Sequence, residues 1–85
     1  MKVDPRLRAA WKAHGNEPVD LIVHVQGATR ERSAEVEAMG AEVKRRFRLT
    51  RTLSIRCQGK TAVKLLDLPW VERIEPDRPV KAFGR

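Results

Sequence analysis

Val19-Asp20-Leu21-Ile22-Val23-His24-Val25, followed at once by Gln26-Gly27-Ala28-Thr29, is the stretch on which the fold turns. The first seven residues are rich in β-branched side chains and alternate between two faces. Val19, Leu21, Val23 and Val25 share one face; Asp20, Ile22 and His24 share the other. The next four residues turn the chain, with Thr29 expected as an N-cap and Glu31 in the first turn, where the helix dipole favours it. A helix is expected to Met39, ending at Gly40. Its core face should be Val36 and Met39, with the Arg32 stem and Ala28 or Ala38 at the edges. A strand that feeds directly into a helix is the first half of a βαβ unit.

Working outward, residues 41–49 and 52–58 read as two strands. Ala41, Val43, Phe47 and Leu49 are expected on one face, with Arg45 the misfit. Leu53, Ile55 and Cys57 alternate cleanly with Thr52, Ser54 and Arg56. The connection Thr50-Arg51 lacks the glycine that a tight hairpin prefers. Gly59 to Leu68 reads as a second helix, with Ala62, Val63, Leu65 and Leu66 as its apolar stripe. Pro69 closes it, and residues 70–75 form the last strand. Val71 and Ile74 are three apart, so this strand either starts after Val71 or contains a bulge. Ahead of the first strand, Asp4-Pro5 is a helix start, and Leu7 and Trp11 fall four apart on one face of a short helix over 5–14.

The order β-α-β-β-α-β predicts an α+β, ferredoxin-like split βαβ fold. Both helices cover one face of a four-stranded antiparallel sheet, and the other face is open. The organisation expected is a helical extension and linker over 1–18, a main domain over 19–77 and an extended tail over 78–85. Pro76 and Pro79 cannot donate to a sheet ladder, so the tail should leave as an extended segment. Val80 and Phe83 then suit pairing with another protein's strand.

Composition narrows the function classes. An 85-residue chain is one domain, and 34% charged residues is ordinary for a globular protein. Met1-Lys2-Val3-Asp4-Pro5 shows no apolar signal-peptide core, which fits a cytoplasmic protein or a segment of a secreted precursor. No apolar run is long enough to span a membrane. Cys57 is the only cysteine and His14 and His24 the only histidines, so no metal site or cofactor is expected, and a buried core thiol is expected for Cys57. The formal net charge of +7 favours an acidic partner, with much of the excess in Lys44-Arg45-Arg46-Phe47-Arg48-Leu49-Thr50-Arg51.

The chain resembles the subtilisin propeptide-like inhibitor family over residues 19–83. The resemblance rests on Leu21-Ile22-Val23, on Gly40-Ala41-Glu42-Val43, on the apolar second helix and above all on Pro69-Trp70-Val71-Glu72-Arg73-Ile74-Glu75-Pro76-Asp77. That last stretch follows the family's pattern of proline, one residue, valine, two residues, aliphatic, glutamate, any residue, aspartate. The family has the split βαβ fold and binds subtilisin-like serine proteases, either as propeptides that aid folding or as free inhibitors.

The resemblance implies a site residue by residue. Ile22, His24, Ser54 and Arg56 on the open sheet face would dock on the protease. Glu75 and Asp77 would cap the N-termini of two protease helices, where unpaired N–H groups favour carboxylates. Val80, Lys81, Ala82 and Phe83 would enter the active-site cleft, with Phe83 in the primary specificity pocket and Val80 in a second apolar one. The chain departs from the family's propeptide end by continuing through Gly84-Arg85 and by carrying no protease domain, which leaves action in cis or in trans open. A monomer is expected in the free state.

Two other classes fit less well. An RNA-recognition module stacks bases on aromatics in its central strands, and Leu21–Val25 and Leu53–Cys57 contain none. Phosphate contacts through Lys44–Arg51 remain the alternative reading, as a basic module that binds nucleic acid. A small phosphatase-like enzyme needs a phosphate-cradling loop, and Gln26-Gly27-Ala28-Thr29-Arg30 offers one glycine and one arginine. Catalysis is therefore not expected.

Overall fold

A computed structural model describes residues 3–77. Its elements run α1 (Pro5–Ala13), β1 (Pro18–Val25), α2 (Thr29–Ala38), β2 (Glu42–Phe47), β3 (Thr52–Gln58), α3 (Gly59–Leu65) and β4 (Val71–Pro76). The four strands form one antiparallel sheet in the order β2-β3-β1-β4. This is the ferredoxin-like α+β fold, with a short helix added at the N-terminus.

The alternation of β1 and β3 builds the core. Leu21, Val23 and Val25 lie beside Leu53, Ile55 and Cys57, and all six are buried. Val36 of α2, Ala62 and Leu65 of α3, and Val71 and Ile74 of β4 close over them. Each of the larger side chains contributes on the order of 1.5–3 kcal/mol by leaving water. Ser33 is buried on α2 as well; its hydroxyl donates to the Arg30 carbonyl at 2.9 Å, which makes its burial tolerable.

Both irregular strands contain a bulge. In β4, Arg73 lies opposite His24 and Val71 opposite Val25, so Glu72 is the extra residue, and Val71 and Ile74 both face the core. In β2, Val43 lies opposite Ile55 and Arg45 opposite Ser54, so Lys44 is the extra residue. The second bulge corrects the expected face. Phe47 shares its side of the sheet with Thr52 and is 40% exposed, while Leu49 lies beyond the strand and is fully exposed. A one-residue insertion inverts every later side chain. Arg45 thereby faces outward, and Arg46, opposite Leu53, goes to the helix side.

Three boundaries also move. The Ala28 carbonyl accepts from Arg32 N, so Ala28 rather than Thr29 is the N-cap of α2, and Thr29 is its first helical residue. Met39 is the C-cap of α2. The second main-domain helix ends at Leu65, and Leu66 N and Asp67 N already bond three residues back, a tighter winding that leads to Pro69.

At the N-terminus, Asp4 caps α1 by accepting from Arg6 N at 2.9 Å, and Pro5 follows it. The helix is packed on the domain: Trp11 is buried and Leu7 lies against the core. Gly59 N donates to Glu17 O and Lys60 N to Gly15 O, tying the linker to the start of α3.

Candidate protein-docking face

The face of the sheet opposite the helices is built from alternate residues of all four strands. Phe47, Thr52, His24 and Arg73 form one row across it, and Arg45, Ser54, Ile22 and Glu75 the next. A third row holds Arg56 opposite Asp20, whose carbonyl accepts from Asp77 N at 2.9 Å. Ile22, His24, Ser54 and Arg56 therefore lie together on this face. Their exposure differs: Arg56 is exposed, Ile22 and His24 are half-buried, and Ser54 is buried. Longer side chains around it (Lys44, Arg45, Phe47 and Asp77) join Ile22 and Ser54 in lining a cavity of about 370 Å³.

Both carboxylates of the acid-x-acid step lie on this face and are held there. Asp77 accepts from Ser54 Oγ at 2.9 Å and lies 3.7 Å from Lys44 Nζ. Lys44 Nζ also donates to Asp20 at 2.9 Å, so the bulged residue bridges two acids. Glu75 sits 2.6 Å from His24 Nε2 and 3.1 Å from Arg73. The side chains of Glu75 and Asp77 remain 48% and 34% exposed. A carboxylate has about four acceptor positions, so each retains acceptor capacity toward a donor arriving from solvent. The Ser54 contact was not readable from the sequence, because it joins residues 23 apart and depends on strand order.

β4 is an edge strand, and the chain leaves it at Asp77 beside Asp20. Val80, Lys81, Ala82 and Phe83 lie outside the described residues. The basic run of the alternative reading spreads over several cavities, and Lys44, Arg45 and Arg46 share one beside Ser33 and Glu37. Lys44 and Arg45 line the open-face cavity, whereas Arg46, Arg48 and Arg51 line a separate cavity with residues 27–30.

The one thiol lies on the core side. Burial pushes the Cys57 thiol up to about 11, with the Asp20 carboxylate adding to the shift. A thiol kept protonated is a poor nucleophile. Among the described residues no group of three metal-ligating side chains gathers, and no helix is long and apolar enough to cross a membrane. No protein-family model matches the chain, and no curated protein matches it.

Proposed function

We propose that this domain inhibits a subtilisin-like serine protease, docking its open sheet face on the enzyme and placing the C-terminal tail in the active-site cleft. The observation that carries the reading is the placement of Glu75 and Asp77, both on the open face where the chain leaves an edge strand. Helix N-termini present unpaired N–H groups and the positive end of the dipole, so they attract such carboxylates. Ser54 and Lys44 orient Asp77, and His24 and Arg73 orient Glu75. Held in advance, these side chains lose little rotamer freedom on docking. The domain is a binding module in this reading and performs no chemistry of its own.

The test separates tail from face. Truncation after Asp77 should remove most of the inhibition of a broad-specificity subtilisin and leave the circular dichroism spectrum unchanged. Glu75→Gln with Asp77→Asn should weaken binding by about tenfold per lost cap, since each is worth on the order of 1–2 kcal/mol. A truncated domain that inhibits as well as the whole chain would refute the tail assignment. An unchanged dissociation constant in the double variant would reduce both carboxylates to surface charges.

A further inference from the structure

The cavity on the helix side of the sheet has a chemistry that protease docking does not use. It measures about 860 Å³ and lies between the loop from β1 to α2 and the connection from β2 to β3. Arg30, Arg46, Arg48 and Arg51 line it. None of the four forms an ion pair with a carboxylate among the described residues. Four arginines lining one cavity with no carboxylate in ion-pair distance leave it positively charged, and a bound anion relieves that charge.

The N-terminus of α2 opens into the same cavity. The first intrahelical bond runs from Arg32 N to Ala28 O, so the amides of Thr29, Arg30 and Glu31 have no intrahelical acceptor. Ala28 provides no side-chain cap. Thr29 is only 7% exposed, lines the cavity and makes no side-chain hydrogen bond within the described structure. No side-chain oxygen or nitrogen among the described residues is both sealed from solvent and unpaired. The Thr29 hydroxyl therefore keeps contact with solvent and is free to bond a ligand that enters the cavity Thr29 lines.

The loop is fixed before any ligand arrives. Gln26 N donates to Trp70 O, and Gln26 O accepts from Arg32 Nε at 2.8 Å. The Arg32 guanidinium lies 4.9 Å from the Trp70 ring centroid and also bonds Glu35, so it is occupied and is not a ligand. Across the cavity, Arg51 O accepts from Val25 N at 2.9 Å, which sets the arginine connection against the end of β1.

We propose that this cavity is a binding site for an oligophosphate group. The amides at the start of α2 and the Thr29 hydroxyl receive one phosphate, and the four arginines hold the rest of the charge. The multiplicity of guanidinium groups suits a ligand with two or more linked phosphates better than a single small anion. The site sits at the opposite end of β1 from the chain exit at Asp20 and Asp77, six residues and about 20 Å away at roughly 3.3 Å per residue. It is independent of the protease reading.

Tripolyphosphate is the probe, titrated calorimetrically into the whole chain at fixed ionic strength, with sulfate and single-stranded oligodeoxynucleotides of increasing length as comparators. Expected is saturable binding of one tripolyphosphate, weaker sulfate binding, and amide shifts in the nuclear magnetic resonance spectrum centred on Thr29, Arg30 and Glu31. Arg46→Ala with Arg48→Ala should weaken binding at least about thirtyfold, and Thr29→Val about fivefold, while inhibition of subtilisin stays unchanged. Unsaturable binding, equal affinity in the double arginine variant, or shifts centred elsewhere in the wild-type chain would overturn the proposal. So would oligonucleotide affinity that rises with length and displaces tripolyphosphate, because that behaviour belongs to a strand-binding surface. If the double variant fails to fold, the wild-type shift map decides alone.

Discussion

Cys57 ties a single side chain to the stability of the whole sheet. Its thiol is buried on the core side of β3, and burial, then the Asp20 carboxylate, raises it from the ordinary 9.0 to about 11. The folded state therefore keeps the proton after the unfolded state has released it. Between pH 9 and pH 11 the unfolded chain binds fewer protons, so stability falls as pH rises through that window. The loss attributable to this group should reach up to ~2 kcal/mol at the upper end. Urea unfolding of the wild type and of Cys57→Ala at pH 8 and pH 11 measures it. The alanine variant starts less stable because it leaves a cavity, and the gap between the two proteins should narrow at pH 11. A constant gap would mean that the thiol ionises alike in both states.

At the scale of elements, the contact of α1 with α3 shows how a small residue admits a whole helix. A Cβ built on Gly59 would lie 2.7 Å from Trp11 O and 2.9 Å from His14 O, both backbone atoms that cannot swing aside. Gly59→Ala should therefore push α1 off the domain and cost about 1–3 kcal/mol. The loss is readable as a lower urea midpoint and a red shift of Trp11 fluorescence; unchanged values would show that α1 adds nothing to the core. Gly59 was legible in the sequence only as a helix start, because its close neighbour lies on another element. The same limit applies to β2. The alternation of β1 and β3 and the order of elements were enough for the fold, and the sequence alone shows the acid-x-acid step Glu75-Pro76-Asp77 at the end of the last strand. The expected phase of β2, with Phe47 on the face of Val43 and Arg45 the misfit, fails because strict alternation cannot reveal an inserted residue. Pairing with β3 places it as a bulge at Lys44, and that bulge also sends Lys44 to Asp77 and Arg46 toward the arginine cavity. The Thr29 cavity was equally hidden, since it joins a loop to a connection some twenty residues later in the chain.

For the molecule as a whole, what matters is how the fold would withstand the enzyme it is proposed to block. A folding aid that acts in cis must be degraded afterwards, so it can be loosely folded alone. An inhibitor acting in trans must survive, and proteases cut chain that opens locally, in proportion to the open population. α1 adds buried Trp11 and the contact of Leu7 to the core of the main domain. The edge strand β4 is stapled to its neighbour by backbone pairing and by the His24–Glu75 contact. In the described residues the connections between elements are short, which leaves few sites for a first cut. We therefore expect an independently folded inhibitor. Incubation with substoichiometric subtilisin, followed by intact mass, should show the body over residues 19–77 surviving, with trimming confined to the neighbourhood of Phe83. Rapid loss of that body would instead assign the chain to the folding aids. Removing α1 should move the result in that direction, because each kcal/mol lost raises the open population about fivefold.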